Sequence, residues 1–467
     1  MIKLATVAET SIRLPDLLSM RYYFESGGTR PYSFRKQQLL ALKQAVLKHE
    51  AEINAALYAD LGKSPEESYV TETGLFLTEI NTCLANLKSW MRPRSASTNL
   101  VNLPSTSKIY RDPLGVVLII APWNYPLQLL LIPLIGAIAG GNAAVLKPSE
   151  LAPATAAVAE KIITACFPPQ YITVIQGDGA VVIPEMMRSF RFDHVFYTGS
   201  IAVGRSIYQL AAADLVPVTL ELGGKSPAIV EADADLAIAA RRIAVGKFLN
   251  AGQTCIAPDY ILVQNQVKEK FLSLLKETIT GFYSEDPSGS SDYGKIINEK
   301  RFNTLVSYLD QGNVIYGGRY NRAALYFAPT IMDDVSLDAP VMTEEIFGPI
   351  LPLVGFSTRE EALSIVQRNP NPLAFYLFTN NKEAEKEWIL KLAFGGGCVN
   401  NTDWHFVNHH LPFGGVGSSG MGAYHGKFTF ETFTRLKSVL KSPLWFDPSV
   451  KYPPFKGRLK LFRWLIR

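Results

Sequence analysis

Cysteine is scarce in this chain: there are four in 467 residues, Cys83, Cys166, Cys255 and Cys398, and none forms a CxxC pair. Thiols so far apart argue against a disulfide framework or a cysteine-based zinc site, and they suit a reducing compartment such as the cytoplasm. Strong charge of either sign is also lacking. Lysine and arginine number 46 against 42 acidic residues, a formal net charge of +4. No basic stripe is left over to recruit nucleic acid, so no nucleic-acid partner is expected. No internal repeat stands out, which argues against a solenoid. The opening MIKLATVAETSIRLPDLLSM has neither a long apolar core nor a small-residue cleavage site, so no secretory signal is expected.

One stretch is long enough to suggest a membrane span. Residues 115–146 carry no charge, but Pro122, Pro126 and Pro133 interrupt them, and Asn124 and Gln128 sit near the middle. In lipid the backbone groups disturbed by those prolines would lack partners. A buried strand, a loop (APWNYP) and a buried helix account for the segment better.

What is present is a large apolar fraction, 48%, with 19% charged residues. That composition belongs to a compact chain with a sizeable core, and the length suggests about three domain-sized units. Residues 33–60 carry apolar positions at helical spacing, and LGKSP closes that helix. Short apolar runs at 115–120, 143–146, 172–175, 194–198 and 217–220 each end in turn-rich sequence. Helical stretches at 154–166 and 203–213 lie between them. The alternation predicts βαβ units around a parallel sheet, with ligands at the carboxyl ends of its strands. It resumes through 228–230, 261–263, 351–354 and 375–379. Residues 92–112 are polar and poor in helix formers, and read as an extended excursion.

Several residues can carry chemistry. Cys255, in NAGQTCIAPD, has small neighbours that leave room for a substrate beside a nucleophilic thiolate, although a solitary cysteine is more often apolar filler. Glu221, at the end of an apolar run and before two glycines, can act as a general base on water or serve as a solvated cap. Asn124, in its proline-bounded loop, can offer an amide to an oxyanion or simply make a turn. Lys147 and Glu150, in LKPSE, can hold ribose hydroxyls or begin a helix. Gly199 and Gly204 frame GSIAVG after FYT, where glycines let a pyrophosphate approach a helix N-terminus.

Three patterns are set aside. Gly415, Gly417 and Gly420 have GxGxxG spacing but lie in no βαβ unit. GGKS at 223–226 would need a glycine where Thr219 stands, so it is no P-loop. His405, His409 and His410 have no acidic or cysteine partner at ligand spacing, and no metal is expected.

Taken in order, APWNYP, LKPSE, FYTGSIAVG, LELGGKSP, NAGQTC, EEIFGP and LPFGGVGSSG make the chain resemble the aldehyde dehydrogenase superfamily along nearly its whole length. NAGQTCIAPDY, the ending LPFGGVGSSGMGAYHGKFTFETF and the short N-terminus look like its class 3 branch, which handles fatty, aromatic and other apolar aldehydes. The resemblance implies that Cys255 is the nucleophile, Glu221 the general base and Asn124 the oxyanion amide. Lys147 and Glu150 match adenosine-ribose contacts, and Gly199, Ser200 and Gly204 the pyrophosphate turn. Glu345 and Phe347 match the nicotinamide-ribose side, with Trp123 in the same cofactor pocket. Ile201 departs from the small or hydroxyl residues common in that turn. The implied reaction oxidises an aldehyde to an acid through a thioester, with NAD favoured by Glu150 and NADP also accepted.

The implied fold is α/β: a Rossmann-type cofactor domain (1–91 and 113–220), an α/β catalytic domain (221–420) and a small β arm (92–112 and 421–445). Strand edges on such an arm invite a homodimer. The tail, 446–467, places Phe455, Leu459, Phe462, Leu465 and Ile466 on one helical face, opposite Lys456, Lys460, Arg463 and Arg467. This basic amphipathic pattern suits peripheral contact with a membrane and suits equally a cover over the substrate channel. Other readings are a CoA-acylating relative, which the water-activating Glu221 disfavours, a thioesterase-like side activity, and a non-catalytic membrane-surface protein of the same fold.

Overall fold

The computed structural model describes residues 14–466. The stretch read for a secretory signal lies mostly outside these residues, as does Arg467 of the tail's basic face.

Two parallel sheets organise the chain. In the first, Val116–Ile120 lies between Ala143–Lys147 and His194–Thr198; Ile172–Val174 and Val218–Glu221 flank these, and the short Gly420–Met421 runs antiparallel on the edge. The strands Val116–Ile120, Ala143–Lys147 and His194–Thr198 are buried at every position, which is why they read as unbroken apolar runs. The chain builds outward from Val116–Ile120 to Ile172–Val174, then returns to place His194–Thr198 on the other side. This reversal makes a switch point where both strands end, and crevices at such points bind ligands. Trp123 and Asn124 follow one strand there, and Gly199 and Ser200 the other.

The second sheet runs Thr330–Asp333, Ile350–Phe356, Tyr260–Gln264, Pro227–Val230, Ala374–Phe378 and Gly396–Val399 in parallel, with Asn313–Tyr316 antiparallel at its edge. The edge strand, Thr330–Asp333 and Gly396–Val399 lie beyond the strands expected from the sequence.

The helix after APWNYP, Gln128–Gly140, is buried along its whole length and contains Pro133. Both its ends are satisfied by charge of the favourable sign. The Glu72 carboxylate accepts from Leu127 N (3.1 Å) and Gln128 N (2.9 Å) at the start. At the other end the Arg35 guanidinium donates to Ala139 O (2.8 Å).

Two expectations about element limits change. The helix expected over 33–60 is two helices, Tyr32–Lys48 and Glu50–Leu61, broken at His49, whose ψ of 14° leaves the helical range. Gly62, at φ 72°, ends the second in the left-handed conformation that glycine adopts without a Cβ clash. The arm is also smaller than 92–112 plus 421–445. Arg94–Ala96, Thr106–Pro113 and Thr434–Lys441 form a three-stranded antiparallel sheet. Met421 instead pairs with the first sheet, and the helix Lys427–Thr432 packs on Gln128–Gly140. Glu79 fixes that helix, accepting from Gly426 N (2.7 Å) and Thr429 Oγ1 (2.9 Å).

Candidate active site

Cys255 follows an unusual piece of backbone. Asn250, Ala251 and Gly252 have φ of 53°, 50° and 73°, three left-handed residues in succession. For alanine that conformation is strained and persists only where the surroundings enforce it. Here they do. Asn250 N donates to Glu67 Oε1 (2.9 Å), and Asn250 Nδ2 donates to Asn124 O (2.9 Å). The Gln253 amide donates to Asn250 O (3.1 Å) and Lys295 O (3.0 Å), and its oxygen accepts from Ile297 N (2.9 Å). The turn that presents Cys255 is therefore clamped from three sides.

Asn124 belongs to the same clamp. Its Nδ2 donates to Gln253 O (3.0 Å), which uses one of the two amide protons, and its backbone oxygen accepts from Lys63 Nζ (3.1 Å). Lys63 is fully buried, pairs with Glu72 (3.0 Å) and lies 4.1 Å from the centre of the Tyr125 ring. Glu72 sits in a π-helical turn, Tyr69–Thr73, a local irregularity found often at functional sites. Tyr125 reaches back to Thr254 through its hydroxyl (2.6 Å).

Glu221 ends its strand and is 2% exposed, yet neither carboxylate oxygen has a hydrogen-bond partner among the described residues. Burial pushes its carboxyl well above the usual carboxylate range. Glu221 and Cys255 line one cavity of about 400 Å³, whose walls include Leu75, Leu129, Val245, Leu249 and Phe406. Burial pushes the Cys255 thiol up as well, and the nearby Glu345 and Glu221 carboxylates add to the effect. Both shifts favour the protonated form, the carboxylic acid of Glu221 and the thiol of Cys255.

The expected cofactor residues fall into two clusters at the strand ends. Lys147 Nζ donates to Glu150 (2.9 Å) and to Pro148 O (2.7 Å). Burial raises the Glu150 carboxyl, but the Lys147 hydrogen bond and charge outweigh it and hold the group below its ordinary value. Beside it is Gly179, whose added Cβ would come 3.7 Å from the carboxylate. Ser200 caps the thirteen-residue helix Ile201–Ala213, accepting from Val203 N (3.4 Å). The free amides of that helix's first turn can receive an anion. Gly199 and Gly204 allow close packing there: a Cβ on the first would come 2.3 Å from Tyr197 Oη, and on the second 2.5 Å from Leu222 Cδ2.

On the opposite wall Glu345 accepts from Gly224 N (3.3 Å), and Arg301 braces the backbone oxygens of Glu345 (2.8 Å) and Phe347 (3.3 Å). Burial, with the Asp259 charge adding to it, pushes the Glu345 carboxyl up to about 8. Gly223 packs so near Glu345 that a Cβ would come 2.2 Å from its carboxylate, so GGKS is a packing device here. Trp123 and Phe347 meet edge to face with ring centres 5.2 Å apart. These residues fit a dinucleotide: a carboxylate for ribose hydroxyls, a glycine-flanked helix start for phosphates, and an edge-to-face aromatic pair, Trp123 and Phe347.

The GGVGSSG turn lies beside Glu221, where Ser419 O accepts from Leu222 N (3.0 Å). His405 meets Cys398 (3.6 Å), while the rings of His409 and His410 are tilted against each other with centres 4.2 Å apart. Among the described residues no cluster has a metal-ligand arrangement. Sequence reading missed Lys63, Glu67, Glu72, Asn250 and Gln253, whose partners stand far away in the chain. The one local signal was the polar Asn250 and Gln253 within NAGQTC.

Comparison with known proteins identifies the family of the chain. The Aldehyde dehydrogenase family model matches residues 21–439. The 4,4'-diaponeurosporen-aldehyde dehydrogenase of Staphylococcus aureus is 45% identical, covering 94% of this chain and 96% of that protein. Aldehyde dehydrogenase family 3 member H1 of Arabidopsis thaliana is also 45% identical, over 96% of this chain and 93% of its own. The structure of Staphylococcus aureus AldH in a substrate-bound state superposes with a TM-score of 0.95 at 44% identity, covering 96% of this chain and 98% of that one. An indole-3-acetaldehyde dehydrogenase complexed with NAD+ superposes with a TM-score of 0.83 at 30% identity, covering 91% and 88%. The chain belongs to the aldehyde dehydrogenase family. Its relatives place it in the class 3 branch, among oxidoreductases that act on aldehydes with NAD or NADP.

Proposed function

We propose that this chain oxidises medium- or long-chain or aromatic aldehydes to carboxylic acids through a thioester on Cys255. The observation that carries this reading is the shared cavity, apolar apart from a few groups, lined by Cys255 and by a Glu221 carboxyl that has no hydrogen-bond partner among the described residues.

The residues divide the work as follows. Cys255 Sγ, as the thiolate left when its thiol proton goes to water, forms a bond to the aldehyde carbon, and the buried Glu221 carboxylate is kept for the second half of the reaction. The resulting oxyanion is met by the Asn124 amide proton not used on Gln253, together with backbone N–H donors of the clamped turn. Glu150, the start of Ile201–Ala213 and Glu345 would hold a dinucleotide, whose nicotinamide would supply the hydride acceptor for oxidation to the thioester. Glu221 then takes a proton from water, whose oxygen attacks the thioester carbon. The carbon–sulfur bond breaks, and the acid leaves with Cys255 restored.

Glu150 favours NAD, because a carboxylate repels a 2′-phosphate; its part-exposed side chain can turn away, which leaves NADP usable. A panel from acetaldehyde through benzaldehyde to long alkenals, run with each nucleotide, tests substrate and cofactor together. The expected result is kcat/KM rising with chain length and higher with NAD. A preference for acetaldehyde would contradict the apolar-cavity reading.

The surface reading has two parts. The arm strand Thr434–Lys441 is exposed from Arg435 onward, which suits pairing with a second copy of the chain. In the tail, the helix Leu459–Leu465 buries nothing, and Leu459, Trp464 and Ile466 are exposed beside Lys460 and Arg463. Among the described residues, none of the tail lines the cavity of its own chain. This favours peripheral contact with an anionic lipid surface. Among the described residues no helix is long and apolar enough to cross a membrane. Sedimentation of full-length protein, alone and with anionic vesicles, is expected to show a dimer that co-sediments with lipid, and a dimer that stays in solution once residues from Phe455 onward are deleted. A monomer, or equal partitioning of both forms, would contradict the corresponding part.

A further inference from the structure

Glu221 and Asp403 are the two carboxylic acids lining the cavity, and the chemistry above leaves Asp403 unused. Asp403 stands in the loop after Gly396–Val399, at φ 56°, a left-handed conformation that aspartate tolerates better than most residues.

Its hydrogen bonding is informative. Tyr376 Oη lies 2.6 Å from Ile256 O and 2.9 Å from Asp403 Oδ1. A phenol has one proton, and a backbone carbonyl can only accept. Ile256 O, at the shorter distance, takes the Tyr376 proton. The second contact is then made by a neutral Asp403, which donates from Oδ1 to the phenol oxygen. Burial pushes this carboxyl up to about 8, in keeping with the neutral form. Its other oxygen, Oδ2, is thereby a carbonyl-type acceptor.

Oδ2 has no protein donor among the described residues, and it is absent from the fully enclosed, unpartnered atoms, so it remains reachable. Gly246 leaves room for it: a Cβ there would come 2.6 Å from Oδ2. Val245, Leu249 and Phe406, which line the same cavity, are apolar and offer no side-chain donor. An acceptor on an apolar wall rewards a ligand that brings a donor and penalises one that does not. A neutral acid gives no charge to hold an ammonium group, which leaves the hydroxyl as the matching donor.

We propose that Asp403 is a specificity-determining residue whose Oδ2 accepts a hydrogen bond from a hydroxyl on the aldehyde's chain, so that the cavity selects hydroxylated aldehydes over plain ones of equal length. The inference rests on the reading that the aldehyde occupies this cavity.

The test uses pairs of medium-chain aldehydes matched in length, one member carrying a hydroxyl at successive carbons. The readout is the ratio of kcat/KM, hydroxylated over plain, for wild type, Asp403→Asn and Asp403→Leu. In wild type the ratio is expected to reach about tenfold or more at one hydroxyl position. Asp403→Asn, which keeps an acceptor oxygen, should retain part of it, and Asp403→Leu should bring it to about one or below. Two results would overturn the inference alone: a wild-type ratio at or below one at every position, or an Asp403→Leu effect that is equal on both members of each pair. The second would assign Asp403 to bracing Ile256 through Tyr376. Should Asp403→Leu fail to fold, the Asp403→Asn ratio decides. Silence of wild type toward every aldehyde would overturn the aldehyde reading and this inference with it.

Discussion

Replacing Cys255 by alanine should remove aldehyde-dependent formation of reduced nicotinamide, lowering kcat by on the order of 10⁴-fold or more, while thermal stability changes little. The size of the loss follows from the site. Nothing else lining the cavity is a thiol, and the Glu221 carboxyl is the wrong chemistry to hold an acyl group through hydride loss. Stability should be spared because Cys255 is only half-buried, and the clamp around it runs through Asn250, Gln253 and Asn124. Asn124→Ala gives the graded comparison: one oxyanion donor is worth about 3 kcal/mol, so kcat should fall on the order of a hundredfold, far less than for the nucleophile. Steady-state rates beside melting curves check both. Turnover surviving in Cys255→Ala would overturn the thioester route.

Glu221→Gln should separate the two halves of the reaction. Glutamine nearly preserves size but cannot take a proton, so release of the acid should slow by about 10²- to 10⁴-fold. Its own contacts cost nothing to lose, since neither carboxylate oxygen has a hydrogen-bond partner among the described residues. Rapid mixing should then show an initial formation of reduced nicotinamide approaching one per site, followed by near arrest. The wild-type pH profile follows from the same carboxyl. Burial raises its pKa, so the acid form, useless as a base, persists above the usual carboxylate range, and acid release should quicken as pH rises. That rise should be missing in Glu221→Gln. A variant that turns over at the wild-type rate would remove Glu221 from the mechanism.

The residues proposed for chemistry were legible in the sequence because of where the fold puts them. Asn124 and Ser200 come just after, and Lys147 and Glu221 at the end of, strands that are buried throughout or at all but one position, so each polar residue stands out against an apolar run. The same contrast marked the parallel sheets. It failed at Asn313–Tyr316, an antiparallel edge strand with part-exposed residues and no such run. It failed also at His49, where apolar spacing continues through a break made by the backbone alone. The clamp was illegible for a different reason. Lys63 and Asn124 are 61 residues apart, and Glu67 and Asn250 are 183 apart, so only the folded chain relates them. Asp403 gave no signal either, because an aspartate among Asn, Thr and His reads as an ordinary solvated loop.

The most direct test of the account is the intact mass of Glu221→Gln protein quenched after mixing with an aldehyde and NAD. The account predicts a gain equal to the acyl group of the aldehyde supplied, carried on the peptide that contains Cys255, growing with the chain length of the substrate and absent from the Cys255→Ala, Glu221→Gln double variant. An unmodified Cys255 while reduced nicotinamide accumulates, or an acyl group on any other residue, would contradict it.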